Sequence, residues 1–286
     1  MTRFWIDAAT SAGAVTLYMT LLAGLLTVSG RISRRLSDVL TRAPGLDVAV
    51  AGLTWVPWVV AGVVRGWAGV LGAVAGQVVA YFLWVIVHEF AHRQAVRGPR
   101  IVKVLNHIAG RWRNHAALWA TMIGLPAFWH FRFVELFCYP MLVRLLNFPR
   151  YHHADWINVS RQKFDGLVGH DLFWCLYCDW MTGVTSLGIE MLRNVESFWC
   201  PIRFSSGKKC ANCKIDYPDI DGGWVPAHAT MTDVTDTLDR MYSDGRRSWF
   251  GHPARLTIRG QDPSEPASHD PASALSPAPA PEPVEV

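Results

Sequence analysis

Three long apolar runs dominate the first third of the chain. Each approaches the roughly 20 residues that a helix needs to cross about 30 Å of hydrocarbon. They cover residues 12–28, 48–64 and 68–87. Only a three-residue connection centred on Gly66 separates the last two runs, so the pattern predicts a helical hairpin. Gly72 and Gly76 in its second arm would let another helix approach closely.

Basic residues follow the first and third of these runs. Arg31, Arg34 and Arg35 come directly after the first run, and residues 92–113 form the most basic stretch of the chain. Since positive charge flanks membrane helices mainly on the cytoplasmic side, both C-terminal ends are predicted to be cytoplasmic. A secretory signal would instead carry its charge before the apolar run, so the first run is interpreted as an uncleaved anchor.

A second apolar pair covers residues 116–128 and 133–146, with His130 and Arg132 between them. Each half is short for a full crossing. The pattern fits a shallow or re-entrant hairpin as well as two tilted crossings, and the aromatic residues around Trp129 suit a membrane interface.

From Arg150 onward the chain is more polar. Apolar residues recur with a helical period over residues 180–199, which predicts one amphipathic helix. Beyond Asp262 the sequence is rich in Pro, Ala, Ser and Glu and is predicted to be disordered. The expected organisation is a transmembrane region (1–149), a cytoplasmic His/Cys region (150–260) and a disordered tail (261–286).

Composition favours the same fold class. Hydrophobic residues make up 51% of the 286 positions and charged residues only 17%, whereas soluble domains carry about a quarter. The net charge is +4, and the arginines flank apolar runs instead of forming a single basic stripe. This distribution argues against nucleic-acid binding. We therefore expect a mainly α-helical, multi-span membrane protein with a small cysteine-rich cytoplasmic C-terminal domain.

The third run ends in His88-Glu89-Phe90-Ala91-His92, an HExxH pattern. Histidines four residues apart share one face of a helix and can hold one metal ion. Eight of the eleven histidines fall between residues 88 and 170, and the predicted topology puts all but His130 on one side of the membrane. The candidate metal ligands among them are His88, His92, His107, His115, His152, His153 and His170.

The phrase that continues His88 to His92 with Arg93-Gln94 resembles the first histidine box of the membrane-bound fatty acid desaturase, hydroxylase and alkane monooxygenase superfamily. That resemblance implies a di-iron centre held by histidines and an apolar or lipid substrate. The later HxxHH boxes of the family are not matched, although His152 and His153 form a pair after the second hairpin.

HExxH also resembles the motif of site-2 type intramembrane zinc peptidases. In that case Glu89 would be catalytic and would activate a zinc-bound water, with Asp165 as the third ligand. The polar residues around Asp165 are unlike a membrane helix.

Two CxxC pairs form the second constellation. Cys175 and Cys178 make the first pair and Cys210 and Cys213 the second, with Cys200 between them as a possible substitute ligand or redox thiol. On a reducing cytoplasmic side, such pairs indicate a zinc or iron site more than disulfides.

A helix over residues 180–199 would separate the first pair from Cys200 by about 30 Å, unless it breaks at Gly183 or Gly188. Cys138, in an apolar stretch, is assigned to packing.

The combined sequence hypothesis is a membrane-bound, iron-dependent oxidoreductase in a bacterial-type inner membrane. Its di-iron centre would act on an apolar substrate from the bilayer, with a cysteine-bound iron or zinc as electron-transfer or structural centre and a possible redox partner. The alternatives are the zinc peptidase and a non-enzymatic metal-binding assembly factor.

Overall fold

The computed structural model describes residues 1–164, 166–199, 202, 225–226 and 228–242, and these residues are mainly helical. The N-terminal helices are α1 (Thr2–Ile32), α2 (Arg34–Leu40), α3 (Gly45–Leu53), α4 (Trp55–Ala91) and α5 (Arg93–Arg97). The next are α6 (Ile101–Ala109), α7 (Arg111–Thr121), α8 (Leu125–Phe133), a π-helical turn (Val134–Cys138) and α9 (Tyr139–Leu146). The last are α10 (His153–Trp156), α11 (Gly169–Trp199) and α12 (Met231–Tyr242).

Within the described residues, α1 and α4 are the two helices long and apolar enough to cross a membrane. Their apolar side chains point largely outward, and Val63, Trp67 and Ile86 are 83%, 81% and 64% exposed. Water-soluble proteins rarely expose continuous apolar surface of this extent, which marks a membrane or protein contact. The two helices therefore support membrane association.

The predicted hairpin around Gly66 is present. Gly66 adopts φ +59° and ψ −149°, a conformation that side chains disfavour, and it divides α4 into arms of residues 55–65 and 67–91. The arms pack closely, because a Cβ placed at Gly69 would collide with the carbonyl oxygen of Ala61.

The close approach predicted at Gly72 and Gly76 is also confirmed, and its partner is α1. A Cβ at Gly72 would collide with the carbonyl oxygen of Ala8, and one at Gly76 would lie 2.5 Å from that of Ala12. Thr16 Oγ1 adds a hydrogen bond of 3.1 Å to the Gly76 carbonyl. Since the contacts advance together along both helices, α1 and the second arm run parallel and end on the same side.

A break at Thr54 separates α3 from α4, and the Gln77 side chain forms hydrogen bonds with the backbone at the break. Gln77 Nε2 donates to the carbonyls of Leu53 (2.9 Å) and Thr54 (2.6 Å). Trp129 Nε1 donates to Thr54 Oγ1 at 3.0 Å. The backbone groups that the break releases are thus satisfied inside the protein, as a break within an apolar bundle requires.

The predicted amphipathic helix is longer than expected, since α11 begins at Gly169 and not near residue 180. Trp180, Val184 and Leu187 on α11 are at most 1% exposed and form the centre of the main apolar core. That core also contains residues from α3, α8, α9 and the segment 148–159. It therefore joins residues from both sides of the expected boundary at residue 149.

The α1–α4 contact yields a stability prediction. Gly72→Ala should lower the stability of the detergent-solubilised protein by about 1–3 kcal/mol, because the new Cβ forces two backbones apart. Gly24→Ala on α1 is the control, since nothing lies within 4 Å of its Cβ position, and it should leave stability unchanged or slightly raised. Equal melting temperatures for the two variants would contradict the packing.

Candidate functional site

The HExxH motif lies in the last turn of α4, where that helix meets the first residues of α11. Gly169 N donates a hydrogen bond of 3.1 Å to His88 Nδ1, and His170 N donates one of 3.2 Å to Glu89 Oε1. The first N–H groups of a helix have no partner within it and carry partial positive charge. His88 and Glu89 supply acceptors to these groups and so cap the N-terminus of α11.

Arg100 completes this contact. Its Nε donates to Asp171 Oδ2 at 2.7 Å and its Nη2 to Glu89 Oε1 at 2.8 Å, and the Arg100 side chain is only 4% exposed. Asp171 Oδ1 in turn accepts from Val102 N at 3.1 Å. We name His88, Glu89, Arg100, Gly169 and Asp171 the Glu89 junction, because Glu89 contacts both Arg100 and the N-terminus of α11.

Gly169 makes this close contact possible. It has φ +53°, and a Cβ placed on it would collide with Glu89 Cγ. The position therefore requires glycine for two reasons, the backbone conformation and the space that the Glu89 side chain occupies.

Burial and salt bridging act in opposite directions on Asp171. Burial alone would raise the pKa of Asp171, but its interactions with His170 and with the Arg100 charge outweigh burial and bring the pKa below its usual value. Asp171 therefore remains charged at neutral pH and keeps Arg100 in place.

The hydrogen bonds also fix the roles of the ring nitrogens in the motif. His88 Nδ1 accepts an N–H, so its proton is on Nε2, whereas a metal-bound histidine normally donates through the nitrogen that does not bind. His92 Nδ1 lies 2.8 Å from the His88 carbonyl and donates to it. The rings stack with centroids 4.4 Å apart, and in this arrangement only His92 presents an Nε2 lone pair.

The other predicted histidines fall into separate groups. His115 and His170 meet near the Glu89 junction, with ring centroids 5.2 Å apart. His107 is exposed on α6. His152 is exposed and pairs with Asp155 at 3.0 Å, while His153 lies in a buried network described next.

This second polar centre surrounds Arg132, which is fully buried. Arg132 Nη1 donates to Glu135 Oε2 at 2.7 Å and to His153 Nδ1 at 2.9 Å, and Nη2 donates to Asp47. We name these four residues the Arg132 network. The sequence analysis did not select Asp47 or Glu135 as candidate site residues. The signal was present, because charged residues beside apolar runs often form buried ion pairs at functional sites.

Burial dominates the electrostatics of the Arg132 network. It raises the pKa of Glu135 to about 7, against the opposing effect of Arg132. It also lowers the pKa of His153 to about 4, with Arg132 adding to the effect. His153 is therefore neutral and accepts through Nδ1, which leaves that nitrogen engaged and closed to a metal ion. Glu135 lies in the π-helical turn, a feature frequent at functional sites.

Two of the predicted cysteine ligands lie on α11. Cys175 is half-buried, Cys178 is exposed, and neither is in a disulfide. α11 continues through Gly183 and Gly188, so the break that would have brought Cys200 to the first pair is absent. Cys200, Cys210, Cys213 and Asp165 lie outside the described residues. Cys138, assigned to packing, is exposed.

The part of the chain that the structure describes holds no group of three or more His, Cys, Asp or Glu side chains placed to bind a metal ion. Two of the predicted histidine ligands are engaged with other groups: His153 Nδ1 is bound to Arg132, and His88 Nδ1 to the α11 N-terminus. As placed, these two histidines do not fit a di-iron group. No protein-family model matches the chain, and comparison with curated proteins and with solved structures gave no match.

Two glycine substitutions can separate the effect of a positive φ at Gly169 from the effect of a collision with Glu89. Gly169→Ala should cost more stability than Gly166→Ala, by about 1–3 kcal/mol. Gly166 shares the positive φ (+87°) but has nothing within 4 Å of its Cβ position, so only Gly169→Ala adds a collision with Glu89. Thermal unfolding of both variants provides the comparison. In a Glu89→Ala background the extra cost should largely disappear, and an unchanged cost would refute the contact.

The Arg132 network predicts a pH dependence. The folded-state pKa of Glu135 is raised to about 7, so the stability from its neutral form is complete below about pH 4 and is lost as pH rises through 7. The full loss is about 3 kcal/mol. Glu135→Gln should flatten the decline in stability between about pH 5 and 8, whereas exposed Asp236→Asn should not. Parallel pH profiles for wild type and Glu135→Gln would contradict the assignment.

Proposed function

We propose that this chain is a membrane-anchored metal-binding assembly factor, without catalytic activity of its own, whose ion is held by cysteine thiolates that begin on α11. Zn²⁺ is the ion that four-thiolate sites with CxxC spacing most often hold. The observation that carries the proposal is the pair Cys175 and Cys178, two free thiols less than one turn apart on α11.

The spacing of this pair suits one ion. Residues three apart in a helix are neighbours, with Cβ atoms about 5–6 Å apart. Two sulfurs bound at about 2.3 Å to one tetrahedral ion lie within about 4 Å, which rotation about the Cα–Cβ bonds can reach. Cys200, Cys210 and Cys213, in the segment after α11, are the proposed source of the remaining thiolates.

The electrostatics of Cys175 argue against nucleophilic chemistry. Burial raises the pKa of the Cys175 thiol; Arg161 opposes this effect, while Asp171 and Asp179 add to it. A thiol with a raised pKa is protonated at neutral pH and reacts slowly as a nucleophile. A divalent ion can still displace its proton, since metal binding is coupled to thiol deprotonation.

The geometry of HExxH supports a structural role for that motif. A peptidase needs the Glu89 carboxylate next to a metal-bound water, whereas in this chain Oε1 accepts from Arg100 and from His170 N. His88 is likewise committed to Gly169 N. The motif holds α11 in place, and α11 carries the cysteines.

Membrane placement follows from α1 and α4 in this proposal. Their parallel packing puts the C-terminal end of α1 beside that of α4, and basic residues follow both ends. By the positive-inside tendency that shared side is cytoplasmic, as in a bacterial inner membrane. α3 and the first arm of α4, joined at Thr54, would form a further broken segment within the bundle, and the Glu89 junction would face the cytoplasm.

Metal content of purified protein tests the proposal. The wild type should carry about one zinc per chain, and Cys175→Ser/Cys178→Ser should lose most of it, because two of four ligands are removed. Cys138→Ser is the matched control, since Cys138 is also a free exposed thiol but lies on the π-helical turn, and it should keep the metal. Zinc that persists in the double variant would overturn the ligand assignment.

A membrane oxidoreductase is the second candidate, and one observation favours it. The 5.2 Å between the His115 and His170 ring centroids is close to the roughly 5 Å expected for two imidazoles on one ion. His170 Nδ1 is buried, and Asp171 Oδ1 lies 3.6 Å from it. Iron would then appear in the metal analysis together with visible iron–thiolate absorption. A colourless protein that contains only zinc would favour the assembly factor.

A further inference from the structure

The α6 helix leaves its apolar face uncovered. Ile101, Val104, Leu105 and Ile108 recur at the helical spacing of one face and are 48%, 55%, 39% and 72% exposed. Trp112, just beyond the helix, is 82% exposed. The opposite face carries Lys103 and His107, which are exposed as well. A short helix with one apolar and one basic face is typical of segments that lie in the plane of a membrane interface.

Arg100 fixes the position of α6 relative to the membrane helices. It is the residue before α6, and its Nη2 binds Glu89 Oε1 in the last turn of α4 at 2.8 Å. Val87 and Phe90 in that turn are each 66% exposed. The apolar face of α6 therefore begins where the outward apolar surface of a candidate membrane helix ends, which is the depth of the lipid headgroups.

The exposed charged side chains on α6 and on the segments that flank it in sequence are all basic. Arg93, Arg97, Lys103, Arg111 and Arg113 are all exposed, whereas Arg100 is buried in its ion pairs. The sequence has no Asp or Glu between Glu89 and Glu135. Basic side chains next to a membrane surface attract anionic lipids, and the attraction grows with each Lys or Arg.

We propose that α6 and the arginines around it form an anionic-lipid docking surface, which lies in the headgroup region of the leaflet at the C-terminal end of α4. Ile101, Val104, Leu105 and Ile108 enter the acyl boundary, while the arginines bind lipid phosphates. Trp112 sits at the headgroup level, where its amphipathic ring is favoured. This inference rests on the membrane placement proposed above and not on the metal site.

Hydrogen exchange of the full chain in lipid nanodiscs tests this surface. The probes are discs of phosphatidylcholine alone and discs with about 30 mol% phosphatidylglycerol. The amides of residues 101–112 should exchange about tenfold more slowly in the anionic discs, because the lipids order the helix against opening. Ile108→Asn and Arg111→Gln/Arg113→Gln should each remove most of this difference.

His107→Asn is the matched control, since it places the same side chain on an exposed residue of the opposite face of α6, and it should keep the protection. Equal exchange in the two kinds of disc, or protection that survives both test variants, would overturn the proposal. Zinc content measured in the same preparations reports on the proposed function separately. A variant that loses protection and keeps its metal shows the lipid surface acting independently.

Discussion

The arrangement of the helices depends on the ion pairs that the buried guanidinium of Arg100 forms with two carboxylates. It joins Glu89 on α4 to Asp171 on α11, and Asp171 in turn accepts a hydrogen bond from Val102 N in the first turn of α6. A buried charge of this kind is stable only while its partners remain, and removal of one partner of such a pair costs about 3–5 kcal/mol. The partial positive charge at the α11 N-terminus is met by the same Glu89 carboxylate. One polar contact thus connects α4, α6 and α11, the helix that carries Cys175 and Cys178.

In the Arg132 network, too, one buried arginine joins separate segments of the chain. Arg132 binds carboxylates from α3 and from the π-helical turn, together with a neutral imidazole from α10, so three separate segments converge on one cation. The two centres contact α11 at different points, through Asp171 in the first and through Trp180, which approaches Asp47, in the second. α11 is therefore positioned along its length by charge as well as by the apolar core.

The sequence predicted the local features well. Apolar length identified α1 and the second arm of α4, the isolated Gly66 identified the hairpin, and the spacing of Gly72 and Gly76 identified the close contact. The apolar run 48–64 was wrongly predicted as one helix, because the break at Thr54 depends on the distant side chains of Gln77 and Trp129. The start of α11 was missed because residues 169–179 mix His, Asp and Cys with aromatic residues, which obscures a simple helical period. The sequence could not predict contacts between distant segments. Nothing near Glu89 in the sequence shows that its side chain packs against Gly169, 80 positions later. The HExxH spacing suggests a metal site, and nothing in it reveals the hydrogen bonds that His88 and Glu89 make to the α11 N-terminus.

The most direct test is the metal content and the thermal stability of His88→Ala/His92→Ala, measured side by side with wild type. If the motif caps α11 and the cysteines hold the ion, the double variant keeps its zinc while its melting temperature falls by several degrees, as the loss of about 1 kcal/mol or more in capping requires. If metal is lost together with the histidines, the motif is a metal site, and the capping role of His88 and Glu89 is wrong.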